Sequence, residues 1–168
     1  PLTDRFGRKP PLYGALVLYI VASAACALAP SVEFLTVSRI AQAMGGAAGM
    51  VISRAVVRDL YAPAQGATVM SQALTGLGII ACACAPIGGV LTDWLGWRVA
   101  LLSLATFGAL TFCLLLWRFE ETLGKPNPDA LQLRQLWLAN RDILRHPTFR
   151  AWCALSSGSY LGLFTFLA

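Results

Sequence analysis

Apolar residues run along this chain in long stretches, and charge falls between them. No charged residue occurs between Lys9 and Glu33, between Asp59 and Asp93, between Arg98 and Arg118, or after Arg150. A helix crossing the hydrocarbon of a bilayer needs about 20 mostly apolar residues, and these stretches predict membrane-spanning helices near 12–29, 66–90, 99–117 and 149–168. The stretch after Asp59 is too long for one such helix, so Pro63 and Gly66 are read as a turn at its start. A fifth segment, near 34–57, is apolar and rich in small residues, but it contains Arg39 and ends in Arg54, Arg58 and Asp59.

Composition agrees with the pattern. Hydrophobic residues make up 57% of the chain, charged residues 12%, and the mean hydropathy is +0.65, where a soluble domain carries about 25% charge. The formal net charge of +5 does not indicate nucleic acid, because the basic residues are few, dispersed and separated by apolar runs. They report topology instead, since Lys and Arg concentrate in cytoplasmic loops. Arg5, Arg8 and Lys9 precede the first span, the turn "APSVE" has no basic residue, Arg54 and Arg58 follow the next span, and the turn before the fourth has only Arg98. Arg118, Lys125, Arg134, Arg141 and Arg145 fill the segment before the last span. Alternate loops are basic.

That alternation bears on a repeat. "LTDRFGRKP" at Leu2–Pro10 is echoed by "LTDWLGWRV" at Leu91–Val99. Three crossings separate the copies, which puts them on opposite faces and accounts for the loss of basic residues from the second. Inverted repeats recur in secondary transporters; the alternative is two short Gly-containing turns that coincide by chance.

The residues also resemble a known family, the major facilitator superfamily, and within it the bicyclomycin/chloramphenicol-resistance type of drug:proton antiporter. "PLTDRFGRKPPL" is similar to the family's loop motif between its second and third helices, and "FLTVSRIAQAMGGAAGMVISRAVVRDLY" to its fourth-helix motif. "APIGG", Ala85–Gly89, is similar to the Gly-Pro antiporter motif of the fifth helix, and "EETL", Glu120–Leu123, to the sequence that follows the sixth. In the antiporter motif Ala85 stands where Gly is common, and only Ile87 separates Pro86 from Gly88 and Gly89. The fold implied is all-α and polytopic: a partial major-facilitator bundle, about five transmembrane helices of a twelve-helix parent. Residues 1–118 would belong to the N-terminal half, 119–147 to a central cytoplasmic linker, and 148–168 to the start of the C-terminal half. Such a piece alone is not expected to transport.

Several residues carry functional expectations. A charge at the depth of Arg39 normally faces a cavity or a partner, and Gln42, Gly46 and Ser53 share its helical face. The resemblance makes Arg39, with Gln42, a site of proton coupling or substrate-path electrostatics; otherwise Arg39 snorkels toward Glu33. Asp4 and Arg8 can pair across a turn at Gly7, and the resemblance implies a conformational latch formed by Asp4, Gly7 and Arg8, against plain topogenic charge. Pro86, Gly88 and Gly89 loosen the third span as a hinge or seal, or else mark its end before Asp93. Small residues at Ala41, Gly45, Gly49 and Ser53 form a ridge that lets helices approach closely, so Gly45 and Gly49 are expected to serve packing. Leu133, Leu136, Trp137 and Leu144 oppose Arg134, Arg141 and Arg145 on a predicted surface helix lying against anionic lipid.

The five cysteines, Cys26, Cys82, Cys84, Cys113 and Cys153, fall within predicted spans without Cys-x-x-Cys spacing, and His146 has no companion His, so neither a disulfide framework nor a metal site is indicated. No phosphate-binding motif is visible, and no enzyme constellation either. No cofactor is expected. The parent is expected to be a monomeric exporter of small hydrophobic compounds in the bacterial inner membrane, driven by protons, with the bilayer, protons and a small-molecule substrate as its partners. Its proton-carrying carboxylate should lie outside this chain. A metabolite carrier on the same fold, or a transport-inactive membrane scaffold or sensor, are the alternatives.

Overall fold

A computed structural model describes residues 2–123, 141 and 143–167. The surface helix expected between 133 and 145 lies almost wholly outside the described residues. The chain divides into two compact units, Leu2–Pro126 and Asn127–Ala168. The first holds α1 (Leu2–Phe6), α2 (Lys9–Ala27), α3 (Val32–Leu60), α4 (Pro63–Leu95) and α5 (Trp97–Arg118); the second holds α6 (Pro147–Leu167). Four of these, α2 to α5, are long and apolar enough to cross a membrane. The chain is an all-α membrane protein.

Helix ends follow local chemistry. The Ser31 hydroxyl accepts from Phe34 N–H at 3.2 Å and caps α3. Pro63, expected in a turn, is instead the first residue of α4, where its missing N–H costs nothing. A single residue, Gly96, both ends α4 and starts α5, and its φ of +86° is a conformation other residues rarely adopt. The helix through Pro86 is unbroken to Leu95, so the Pro-Gly cluster lies inside α4, short of its end at Gly96. Gly88 and Gly89 stay helical, and the Thr92 hydroxyl donates to Gly88 C=O at 2.7 Å. Pro86, lacking an N–H, withholds the usual bond from the Cys82 carbonyl.

α2 lies at the centre of the first unit, packed against both α3 and α5. It buries Leu12, Ala15, Ala22, Cys26 and Ala27, mostly small side chains. Helices in lipid associate through close packing rather than hydrophobic drive, and Gly45 shows the effect. A Cβ there would lie 2.7 Å from the Ala15 carbonyl oxygen and 2.8 Å from Tyr19 N, so α2 and α3 touch backbone to backbone. Gly49, expected to do the same, has nothing within 4 Å of a Cβ position among the described residues. On the other side of α2, Gly108 of α5 leaves room for Ile20 and the Tyr19 ring, each 3.0 Å from where its Cβ would be. Tyr13 and Phe112 add an edge-to-face contact at 5.6 Å. α4 buries none of its residues, and Ile79, Ile80 and Ile87 are exposed, as suits a helix against an apolar medium.

Candidate functional site: a charged cluster at one end of the bundle and a polar chain toward the other

The start of α2, the end of α3 and the residues after α5 meet at one end of the first unit. Arg8, which flanks α2, is 2% exposed. Its Nε donates to Asp59 Oδ2 at 2.8 Å and its Nη2 to Asp59 Oδ1 at 3.4 Å, a forked contact with the last turn of α3. Nη1 donates to Asp4 Oδ1 at 2.9 Å and to the Thr3 hydroxyl at 2.6 Å. A buried guanidinium is tolerated only when its donors are paired in this way. Its pKa is raised, first by the hydrogen bond to Asp59, with burial opposing and Asp4 adding to the effect.

The backbone of the same loop solves a second problem. A helix leaves its first N–H groups without intrahelical partners, and α2 has no side-chain cap from Arg8. Pro10 and Pro11 carry no N–H, and Leu12 N–H already donates to Arg8 C=O at 3.2 Å. The donors left over are those of Arg8 and Lys9. Both go to Glu121: Arg8 N–H to Oε1 at 2.8 Å and Lys9 N–H to Oε2 at 3.1 Å. Oε1 also accepts from Thr122 and Leu123 N–H, each at 3.1 Å. Burial pushes the Glu121 carboxyl up, but the N–H groups of Arg8, Lys9, Leu123 and Thr122 together outweigh it and hold it below the usual carboxylate range. Gly7, with φ +92°, makes room for this carboxylate; a Cβ there would stand 2.6 Å from Glu121 Oε2.

Toward the other end, Arg39 lies in the second turn of α3, about 10 Å along its axis from the start. Its Nη1 donates to Gln42 Oε1 at 2.9 Å. Gln42 is buried and passes the chain on, Nε2 donating to the Ser23 hydroxyl at 2.7 Å; Ser23, fully buried, donates to Tyr19 C=O at 2.6 Å. Arg39 therefore turns to α2 through Gln42 and makes no ion pair with Glu33. Tyr19, Arg39, Gln42, Ala43, Gly46 and Leu104 line an open cavity of about 380 Å³. Ser53, on the same predicted face, donates instead to its own helix at Met50 C=O.

The charged end is also the basic one, carrying Arg5, Lys9, Arg54, Arg58 and Arg118. The description of the Major Facilitator Superfamily matches residues 1–168. The chain belongs to the major facilitator superfamily. As a superfamily chain it is similar to a chloramphenicol resistance protein of Pseudomonas aeruginosa, 37% identical over 82% of this chain and 33% of that protein. It is 32% identical to the drug efflux pump JefA of Mycobacterium tuberculosis, over 79% of this chain and 26% of the pump. A bicyclomycin resistance protein homolog of Haemophilus influenzae is 29% identical over 99% of this chain and 42% of its own length. The superfamily chain thus spans under half the length of these relatives, two of which are named for chloramphenicol and bicyclomycin resistance.

Of the residues singled out in the sequence, the structure brings Asp4, Gly7 and Arg8 together, and joins Arg39 to Gln42. It leaves Pro86, Gly88 and Gly89 apart from both groups, on the exposed α4. Two members of the charged cluster, Asp59 and Glu121, were missed as site residues. Signals existed for both: Asp59 closes an otherwise basic helix end, and Glu121 follows the span that closes at Arg118, while α2 begins without a capping side chain.

Proposed function

We propose that the whole protein exports small hydrophobic drugs or toxic compounds in exchange for protons, by alternating access in the bacterial inner membrane. The observation that carries this reading is the Arg39–Gln42–Ser23 chain within the span, opening on a cavity beside Tyr19. Among the described residues the guanidinium of Arg39 is held by a neutral partner, Gln42; a cation so held inside a membrane is costly, and a transported proton's carboxylate is a natural counter-charge for it. Arg39 thus serves as the electrostatic partner of a titrating carboxylate supplied by another part of the protein, and Gln42 fixes where its guanidinium points. The names of the relatives, in chloramphenicol and bicyclomycin resistance and drug efflux, support drug export as the direction and substrate class.

In the same reading Asp4, Gly7 and Arg8, with Asp59, form a cytoplasmic latch that closes in one state of the cycle and opens in the other. Pro86, Gly88 and Gly89 make α4 the helix that bends or slides. This chain alone does not transport, and the whole protein works as a monomer. The test is Arg39→Ala in the whole protein, reconstituted in liposomes. Drug-induced proton movement should be lost while the protein remains folded; unchanged proton coupling sinks the assignment.

A further inference from the structure

We propose that Glu121 is the positioning residue of the latch: its carboxylate fixes the backbone at Arg8 and Lys9 so that the Arg8 guanidinium reaches Asp59. This deepens the proposed function and rests on that reading of the loop. The prolines at 10 and 11 strip α2 of two of its leading N–H groups, and the remaining pair, at Arg8 and Lys9, both bind one carboxylate more than a hundred residues away in sequence. The same carboxylate is itself held by Thr122 and Leu123 N–H, so it is not a freely swinging surface group. Gly7 completes the fit, since any side chain there would push into Oε2. Hydrogen bonds to an ionised acceptor are about twice as strong as neutral ones, and here two of them bear on the residue whose side chain bridges to α3. Glu121 touches neither Asp4 nor Asp59 through any bond described; it acts on the latch through the Arg8 backbone.

Amide hydrogen exchange on the whole protein in lipid nanodiscs tests this directly. A peptide spanning residues 7–13 reports few amides, because Pro10 and Pro11 have none. In Glu121→Ala the Arg8 and Lys9 amides should exchange about tenfold faster or more, as charge-assisted bonds are lost. Glu121→Gln, the same shape with one acceptor oxygen, should fall between, and it replaces the alanine variant if that does not fold. Asp59→Asn, which weakens only the guanidinium contact, should leave these amides near the wild-type rate. Drug flux gives the second readout: Glu121→Ala lowers the maximal rate without changing KM, and adding it to Asp59→Ala lowers the rate no further. Unchanged Arg8 and Lys9 exchange in folded Glu121→Gln and Glu121→Ala overturns the proposal, as does a flux loss that multiplies with that of Asp59→Ala. Exchange needs no transport, so a protein that moved no drug would defeat the functional reading and still decide this one.

Discussion

Asp59 takes two hydrogen bonds from the Arg8 guanidinium, at 2.8 and 3.4 Å, and so ties the end of α3 to the loop before α2. The two acidic partners of Arg8 are not equivalent. The Asp59 side chain is 18% exposed and forked, whereas that of Asp4 is 43% exposed. Removing the partner of a buried charge costs about 3–5 kcal/mol, and a half-exposed pair contributes about 1 kcal/mol or less. Asp59→Ala should therefore lower the thermal midpoint of the whole protein in detergent several times more than Asp4→Ala. Equal losses would contradict the ranking.

Neighbouring glycines on α3 should respond with opposite signs. Gly45→Ala drives a methyl into the backbone of α2 at Ala15 and Tyr19, atoms that cannot swing aside, and overpacking costs about 1–3 kcal/mol. Gly46→Ala meets only the Tyr19 ring at 3.8 Å or beyond and relieves a helix-interior glycine penalty of about 1 kcal/mol. Thermal midpoints measured side by side check this; a destabilising Gly46→Ala together with a tolerated Gly45→Ala would refute the packing described.

Much of this architecture was legible in the sequence. Charge-free intervals give the spans because the bilayer imposes length and apolarity on any crossing segment, and α2, α4 and α5 lie where those intervals lie, while α3 covers the apolar segment that carries Arg39. Boundaries were less legible at Pro63, where the same residue suits a turn or a helix start, and at Pro86, where a helix supported by lipid runs through a residue that would break a solvent-exposed one. Asp4 and Arg8 could be paired from their spacing. Asp59 and Glu121 could not be joined to them, because the contacts depend on which helix ends meet, and that is settled by the docking of α3 and α5 on α2. Gly45 and Gly49 look alike in sequence and share a helical face, but only Gly45 lies where α2 comes close enough for the missing Cβ to matter.

The chain of side-chain amide and hydroxyl should be non-additive. Ser23→Ala leaves the buried Gln42 Nε2 without its acceptor, at a cost of about 1–3 kcal/mol. Adding Gln42→Leu removes the stranded donor, so the double variant should cost less than the sum of the two single changes. A double-mutant cycle on thermal stability measures this, and strict additivity would show that the bond contributes nothing.

Acid should release the cap on α2. The Glu121 carboxyl is held below its ordinary value by four N–H donors that outweigh the opposing effect of burial. A group lowered in the folded state contributes stability that is complete above its unfolded pKa, about 4.3, and is lost as pH falls through its lower folded value. The difference in thermal midpoint between wild type and Glu121→Gln should be flat from about pH 6 to 8, taking that unfolded pKa as the reference, and shrink at more acid pH. A gap that widened on acidification would contradict the sign.

Proton-driven drug export is tested by flux through the whole protein in proteoliposomes. Uptake of a chloramphenicol-like drug is followed under an imposed pH gradient, with and without a protonophore. Accumulation should depend on the gradient and be abolished by the protonophore. Folded protein that moves no drug of several classes, or moves it equally with the gradient collapsed, would contradict it.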